Sequence, residues 1–167
     1  YLARLELETG GVIGGTIPGL PVILVGRSAG LGWGLTTANV DDTDVYIEKL
    51  NPANPNEYQS LDGFVPFFKK QSIIEIKGQK PVTLDMLWTE NGPVLPASHY
   101  NLGAITPDGH VTSVAWTLLS GQDTSFEAAF DIMVSGSVQA AMTASQTYIA
   151  PGQNLTLADK SQIAMRT

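Results

Sequence analysis

The alternation of apolar and polar positions predicts a chain built mainly from short β-strands. Within residues 1–8, Leu5 and Leu7 alternate with charged residues, which is the pattern of a half-buried strand. Further strands bounded by Gly, Pro and Asn turn signals are predicted at 12–17, 20–25, 31–37, 45–50, 71–77, 82–89 and 110–117. Because segment 20–25 is apolar apart from its proline, we expect a buried strand there, paired with 31–37 across a turn at Ser28.

Helical spacing occurs only between residues 124 and 146. The inner face predicted for the first helix consists of Phe126, Ala129, Phe130, Met133 and Val134. Thr124 or Ser125 would cap that helix, and a second helix over 138–146 would turn Ala141, Met142 and Ser145 inward. A Pro-Gly pair at 151–152 then returns the chain to a strand hairpin. The predicted class is α+β, mostly antiparallel strands with a short helix pair.

Composition narrows the classes of function. The 167 residues are 43% hydrophobic with a net charge of −7, which suits a packed domain and argues against nucleic acid or an anionic membrane. There is no cysteine, which excludes disulfides, thiolate zinc sites and cysteine nucleophiles. No apolar run is long enough for a membrane span. The chain starts at Tyr1 and stops within a predicted hairpin, so we expect one segment of a longer polypeptide.

The glycine-dense stretch between Gly26 and Gly34 is the most informative part of the chain. Its glycines, which include Gly30 and Gly32, predict close backbone approach. The stretch contains Gly-x-Ser-x-Gly around Ser28, the nucleophile elbow of α/β-hydrolases. That motif requires a helix after the turn, whereas alternating glycine and apolar residues follow here and predict a strand. Ser28 is therefore expected to be a hairpin residue.

Other polar groups give weaker signals. His99 and His110 stand in turn-rich sequence without carboxylates at metal-ligand spacing, and are expected to be surface residues. The acidic cluster Asp41, Asp42 and Asp44 could offer oxygens to Ca²⁺, with the Thr43 carbonyl, or could be a solvated turn. Three tryptophans in predicted strands are expected in the core. A glycosylation sequon at 154–156 is a match by pattern only.

Several of these residues together resemble the penicillin acylase family of N-terminal nucleophile hydrolases. The motif runs Gly15-Thr-Ile-Pro-Gly-Leu-Pro21, Gly26-Arg27, Trp33-Gly34-Leu-Thr36 and then the acidic cluster at 41–44. Four further stretches follow in the family's order, at 46–50, 51–58, 89–94 and 151–159. The resemblance covers essentially the whole chain and implies part of an αββα sandwich, with these residues forming a β-chain fragment.

The resemblance implies amide hydrolysis. A precursor cleaves itself to expose a β-chain serine, whose own α-amino group acts as general base while the serine forms an acyl-enzyme. One oxyanion-hole donor would be the backbone N–H of Thr37, and Leu24 and Val25 would line the acyl pocket. Tyr1 is no nucleophile, so the serine is expected upstream of the chain. The asparagine that completes the oxyanion hole is expected downstream of Thr167.

The resemblance also implies a metal, partners and a compartment. Asp41, Thr43 (through its carbonyl) and Asp44 would bind a structural Ca²⁺. The partners would be the rest of the β-chain, the α-chain of the same precursor and a small N-acyl substrate. The compartment would be periplasmic or secreted. On its own the fragment should be inert and prone to associate through exposed strands. The alternative is a non-catalytic β-rich binding or structural domain.

Overall fold

A computed structural model describes residues 1–167 and contains thirteen strands and two α-helices. The chain divides into two compact units, each with its own sheet. Unit 1 comprises residues 1–42 and 120–167, and unit 2 comprises residues 43–119. All strand pairs are antiparallel. The predicted class, mostly antiparallel strands with a short helix pair, is confirmed.

The first sheet belongs to unit 1 and has six strands in the order β1-β2-β3-β4-β12-β13. Its strands are β1 (Leu2–Leu7), β2 (Gly10–Gly15), β3 (Val25–Arg27), β4 (Gly32–Thr37), β12 (Gln153–Ala158) and β13 (Ile163–Arg166). The pairing of β4 with β12 joins residues about 120 positions apart, from Thr37 opposite Gln153 to Gly32 opposite Ala158. The early and late parts of the chain therefore share one sheet.

Two helices, α1 (Ser125–Val134) and α2 (Val138–Ala144), pack on the first sheet. The Ser137 hydroxyl caps α2 by accepting from the Ala140 N–H. The predicted inner face of α1 is partly wrong. Phe126 and Phe130 are exposed, and the buried residues of α1 are Ser125, Ala128, Ile132 and Met133.

The core of unit 1 combines residues from the sheet and both helices. Its buried apolar members are Val12, Val22, Ile23, Leu31, Trp33, Ile132, Met133, Val138, Ala141, Leu155 and Leu157. Alternate residues of β12 enter this core, so Leu155 and Leu157 are buried while Thr156 is exposed. Of the three tryptophans expected in the core, Trp33 is buried, and Trp88 and Trp116 are half-buried.

The buried strand predicted over 20–25 is replaced by an irregular segment, with strand structure confined to Val25–Arg27. Val22 and Ile23 are nonetheless buried. Side chains provide hydrogen-bond partners for the backbone N–H and carbonyl groups of this segment. The Trp33 indole donates to the Ile23 carbonyl at 3.1 Å, the Thr16 hydroxyl donates to the Val22 carbonyl at 2.6 Å, and the Ile23 N–H donates to the Met133 sulfur. The segment can therefore be buried without a strand partner.

Glycine allows the close contact between β2 and β3. A Cβ on Gly26 would lie 2.5 Å from the Ile13 carbonyl oxygen, and one on Gly14 would overlap the Val25 carbonyl. The predicted close approach is thus confirmed at Gly26. Gly34 has open space around it, so the prediction does not hold there.

The turn between β3 and β4 excludes the nucleophile elbow. The Ser28 hydroxyl oxygen accepts from the N–H groups of Gly30 and Leu31, and the chain continues as β4 rather than as a helix. Ser28 is a hairpin residue, as expected.

The second sheet belongs to unit 2 and has seven strands in the order β7-β6-β5-β11-β10-β9-β8. Its strands are β5 (Thr43–Asn51), β6 (Asn54–Ser60), β7 (Gly63–Pro66), β8 (Phe68–Ile74), β9 (Val82–Thr89), β10 (Gly92–Leu95) and β11 (His110–Trp116). The predicted hairpin of 71–77 with 82–89 is present as β8 and β9. Short 3₁₀ segments lie at 99–104, 117–119 and 145–147.

Candidate active site

Thr37 ends β4 with a backbone N–H that β12 does not use. The neighbouring Ala38 N–H donates to the Gly152 carbonyl at 3.1 Å, which makes that pair the hydrogen-bonded one. Because bonded and non-bonded pairs alternate along an antiparallel ladder, the Thr37 N–H points away from Gln153, its partner on β12. On its other side, β3 pairs with β4 only at Gly32 and Trp33. The amide is therefore available as a donor.

The Asn154 side chain lies beside the Thr36 hydroxyl and the Thr37 carbonyl. Its Nδ2 lies 3.5 Å from the Thr37 carbonyl oxygen and 3.4 Å from the Thr36 hydroxyl oxygen. Its Oδ1 accepts a hydrogen bond from the Thr167 hydroxyl at 2.9 Å. The oxygen is firmly held, whereas the two contacts of the amide nitrogen are long for hydrogen bonds. The nitrogen is thus oriented towards Thr37 and can still donate to another oxygen.

The sequence did not predict that Asn154 lies beside Thr37. The asparagine that would complete the oxyanion hole is expected beyond Thr167, and that expectation stays a prediction. Asn154 belongs to the stretch at 151–159, one of those that carry the resemblance. Its proximity to Thr37 depends on the pairing of β4 with β12, which hydrophobic alternation does not reveal.

A largely apolar pocket of about 230 Å³ opens beside this strand pair. Its apolar lining includes Leu35, Val40, Ile132, Ile149 and Leu155. The Tyr148 side chain also lines it, and burial, together with the Asp123 carboxylate, raises the pKa of the Tyr148 phenol. At neutral pH this hydroxyl is therefore protonated and able to donate.

The two residues predicted for the acyl pocket have different surroundings. Leu24 is half-buried and lines a small cavity with Trp33, Leu35 and Tyr148, three side chains of unit 1. Val25 is exposed on β3 and does not line either cavity. Leu35 and Tyr148 border both cavities, which places Leu24 next to the larger pocket. The role of both residues stays a prediction.

The residues predicted for calcium belong to different units. Asp41 lies in unit 1, whereas Thr43 and Asp44 start β5 in unit 2, and all three are exposed. The structure gathers no group of three or more His, Cys, Asp or Glu side chains that could hold a metal. Two carboxylates and a carbonyl are chemically suited to Ca²⁺, but they are fewer than the roughly six to eight oxygens that it takes.

The two histidines lie in unit 2 and form no catalytic pair. His99 is exposed, with its ring 4.2 Å from that of Tyr100. The His110 Nδ1 lies 2.9 Å from the Asp108 carbonyl oxygen, within its own turn. Both agree with the expectation of surface or loop histidines.

A buried carboxylate in unit 2 links two of the stretches that carried the resemblance. Glu48 is only 7% exposed, and its Oε1 accepts from the Ser113 hydroxyl at 2.7 Å, the Thr89 hydroxyl at 3.0 Å and the Asn91 amide at 2.9 Å. The Glu90 N–H donates to the Tyr58 hydroxyl nearby. These hydrogen bonds join β5, β11 and the β9–β10 turn, so this cluster holds the second sheet together.

Comparison with known proteins adds to this geometry. The family model described as penicillin amidase matches residues 1–167. Acyl-homoserine lactone acylase QuiP of Pseudomonas fluorescens is 30% identical over 164 residues, which are 98% of this chain and 20% of that protein. Acyl-homoserine lactone acylase PvdQ of the same species is 33% identical over 89 residues, half of this chain and 11% of that protein.

A solved structure shares the fold. Thermostable penicillin G acylase from Alcaligenes faecalis superposes with a TM-score of 0.76 at 22% identity, covering 99% of this chain and 29% of that one. The chain thus spans about a fifth of the QuiP protein that it matches and less than a third of this solved acylase. No helix in the structure is both long and apolar enough to cross a membrane.

Proposed function

Because the chain belongs to the penicillin amidase family, we propose that it forms part of an enzyme that hydrolyses the linear amide bond of an N-acyl compound. The observation that carries the proposal is the backbone N–H of Thr37 at the end of β4, which the pairing with β12 leaves unused. A preorganised backbone donor of this kind can stabilise the oxyanion that forms in acyl transfer.

The reaction would use a serine outside residues 1–167, at the N-terminus of the processed β-chain. Its hydroxyl attacks the amide carbonyl while its own α-amino group takes the proton. The Thr37 N–H would donate to the oxygen that becomes negative, together with the side chain of an asparagine expected beyond Thr167. The amine leaves, and water then hydrolyses the acyl-enzyme to release the acid.

The surroundings favour an apolar acyl group. The pocket beside Thr37 presents Leu35, Val40 and Ile149, and Leu24 extends it through the neighbouring cavity. Pockets that bind small ligands are usually apolar, with a few polar groups that fix orientation. Val25 would contribute from β3 only at the rim, since its side chain is exposed.

The remaining implications of the family stay proposals as well. Self-cleavage of a precursor would give an α-chain and a β-chain, and the rest of both chains would be the partners of these residues. Asp41, the Thr43 carbonyl and Asp44 would supply three oxygens to a structural Ca²⁺, with the other ligands provided from elsewhere. The compartment would be the periplasm or the exterior. Calcium would be tested by chelating the full-length protein and following its thermal unfolding.

The experiment that tests the function uses the full-length protein. N-terminal sequencing of its mature chains should find a serine upstream of Tyr1, and the protein should release acid from an N-acyl-homoserine lactone or from penicillin G. Thr37→Pro removes the proposed donor N–H, which β12 does not use, and should lower kcat about 10²- to 10³-fold, as loss of an oxyanion donor does. Thr37→Ala is the matched control, because it changes the same side chain and keeps that N–H.

The second candidate is a non-catalytic β-rich binding or structural domain. It is favoured if the full-length protein remains one uncleaved chain with no serine, threonine or cysteine at the cleavage point. In that case neither the wild type nor the two Thr37 variants would hydrolyse either substrate.

A further inference from the structure

Arg166 contributes the only full charge to the lining of the pocket beside the proposed donor amide. No aspartate or glutamate lines this pocket. The Arg166 side chain is half-buried, and its guanidinium has no hydrogen-bond or ion-pair partner among residues 1–167. The other two arginines differ, because Arg4 pairs with Glu6 and Arg27 is exposed on β3 outside the pocket. Arg166 is therefore an unpaired cation among mainly apolar side chains.

Strand pairing turns Arg166 towards the apolar side chains of the pocket. Leu35 on β4 is opposite Leu155 on β12, and Leu155 is opposite Arg166 on β13. Directly opposite residues of an antiparallel sheet point to the same face, and all three side chains line the pocket. Neighbouring strands are about 4.8 Å apart, which puts the backbone of Arg166 about 10 Å across the sheet from β4. An acyl chain that is held at Thr37 and lies in the pocket has its far end near this guanidinium.

Two further side chains that can donate hydrogen bonds line the same pocket. The Tyr148 hydroxyl and the Gln153 amide have no hydrogen-bond partner among residues 1–167. No enclosed side-chain nitrogen or oxygen in the structure lacks a partner, so these two groups are accessible and a ligand can reach them. A carboxylate accepts several hydrogen bonds and is a strong partner for a guanidinium. The pocket thus combines apolar side chains with donors that suit an anionic oxygen.

We propose that this pocket binds a short apolar acyl chain with a carboxylate at its far end, and that Arg166 selects that carboxylate. The inference rests on the proposed function, since it names the class of N-acyl compound that the same site cleaves. The pocket measures about 230 Å³, below the roughly 300–1,000 Å³ of most small-molecule sites, which favours a short chain. The methylenes contact Leu35 and Leu155. The carboxylate accepts from Arg166, with the Tyr148 hydroxyl as a second donor.

An arginine can also line an apolar surface without binding an anion. Its methylenes then cover apolar side chains while the guanidinium stays in water, and its charge does not affect which substrate is cleaved. Arg166→Met separates the two roles, because it keeps a long apolar stem and removes the charge. Arg27→Met is the matched control, since it removes the same charge from an exposed position of unit 1 outside the pocket.

The test compares a neutral and an anionic acyl chain of equal length on the full-length protein. The substrates are the hexanoyl and adipoyl amides of homoserine lactone, which differ by the terminal carboxylate. The wild type should have the higher kcat/KM for the adipoyl amide. Because hydrogen bonds to charged groups are strong, Arg166→Met should lower the adipoyl-to-hexanoyl ratio of kcat/KM about 10- to 100-fold. Arg166→Lys, which keeps the charge, should retain part of the ratio, and Arg27→Met should keep the wild-type ratio.

Two further variants test the charge and the second donor separately. Arg166→Glu places a negative charge next to the adipoyl carboxylate, so its adipoyl-to-hexanoyl ratio should fall below that of Arg166→Met. Tyr148→Phe removes one neutral donor and should lower the ratio less than Arg166→Met does. If Arg166→Met lowered kcat/KM for both amides equally, Arg166 would have only a packing role and the inference would be overturned.

Ligand binding separates this inference from the proposed function. Calorimetry on the full-length protein would compare adipic acid monoamide, which carries the carboxylate, with hexanamide, which does not. Arg166→Met should weaken binding of the monoamide about 10-fold or more relative to hexanamide. If the wild type cleaves neither substrate but binds the monoamide through Arg166, the proposed function is overturned and the anion site stands. If the wild type cleaves the hexanoyl amide and Arg166→Met leaves both the ratio and monoamide binding unchanged, the inference is overturned and the proposed function stands.

Discussion

The two units of the chain are both antiparallel sheets, but they are stabilised differently. Unit 1 buries a continuous set of apolar side chains between its sheet and two helices, with Met133 and Leu157 fully enclosed. Unit 2 buries few large apolar residues, namely Tyr58, Phe67 and Leu102, and it also encloses the carboxylate of Glu48. The proposed oxyanion donor, the Thr37 N–H, is in unit 1.

The difference suggests where rigidity comes from in each unit. Apolar packing is not directional, so the core of unit 1 should tolerate small rotations of its side chains. It should tolerate the introduction of a polar group or the loss of volume poorly. Hydrogen bonds to a buried carboxylate are directional, and each partner depends on the others. We therefore expect unit 1 to lose most stability when buried side-chain volume is removed. We expect unit 2 to lose most stability when a hydrogen-bond acceptor is removed.

The largest loss of stability is expected from a substitution that creates a cavity in the core of unit 1. Leu157→Ala removes a fully buried side chain of β12, opposite Trp33, and should cost about 2–5 kcal/mol of local stability. Leu84→Ala on the exposed side of β9 is the control and should change stability by about 0.5 kcal/mol or less. Urea-dependent hydrogen exchange on the full-length protein would measure each unit separately. An equal loss in both units after Leu157→Ala would contradict separate cores.

The next effect concerns the carboxylate of unit 2. Glu48→Leu leaves three donors without their acceptor, and should cost about 2–4 kcal/mol in the exchange of unit 2 peptides. Glu48→Gln keeps an oxygen for the hydroxyls of Ser113 and Thr89, so it should cost less. If Glu48→Leu proved as stable as the wild type, the cluster would be replaceable by apolar packing, and the contrast between the units would be lost.

A smaller effect should arise where unit 1 holds the proposed site. A Cβ on Gly152 would overlap the Val40 side chain, next to the Ala38–Gly152 hydrogen bond. Gly152→Ala should therefore cost about 1–3 kcal/mol from overpacking and should also lower kcat, because Thr37 adjoins Ala38. Gly121→Ala is the control, since a Cβ there meets no atom within 4 Å. Wild-type kcat in Gly152→Ala would show that this backbone contact does not position Thr37.

The sequence predicted the strands well because each carries its own signals of alternation and turns. The same signals placed Thr37 at the end of a strand, and the family motif gave it a role. The contact between Asn154 and Thr37 was not predicted, because the two residues are 117 positions apart and strand pairing at that distance leaves no periodic signal.

The incorrect prediction of the buried face of α1 has a different physical cause. Spacing rules favour large apolar residues such as Phe126 and Phe130, but the buried face begins with Ser125, whose hydroxyl binds the backbone of Ile149 and Ala150. The segment 20–25 failed as a strand for a related reason, since the Trp33 and Thr16 side chains satisfy its backbone. Hydrogen bonds from side chains to distant backbone are not encoded in hydrophobic periodicity.

The smallest effect on stability is expected for an aspartate in a hairpin turn, and an aspartate in a second hairpin turn serves for comparison. Asp159, between β12 and β13, accepts from the Val138 N–H at the start of α2 and from the N–H groups of Ser161 and Gln162. These hydrogen bonds, first that from Val138, hold the pKa of Asp159 well below its usual range. Asp62, in the turn between β6 and β7, is exposed and has no such hydrogen bonds.

The depressed pKa fixes the direction of the pH dependence. A carboxyl whose pKa is lower in the folded state stabilises the fold fully above its unfolded pKa of about 3.9, and that stabilisation is lost as the pH falls below this value. Asp159→Asn should therefore unfold more easily than the wild type at pH 7, with the gap closing below about pH 4. Asp62→Asn should show a smaller gap at pH 7, because Asp62 makes no such hydrogen bonds. Urea unfolding of the full-length protein between pH 3 and 7 measures both, and a constant gap for Asp159→Asn would mean that its charge does not hold α2 to the hairpin.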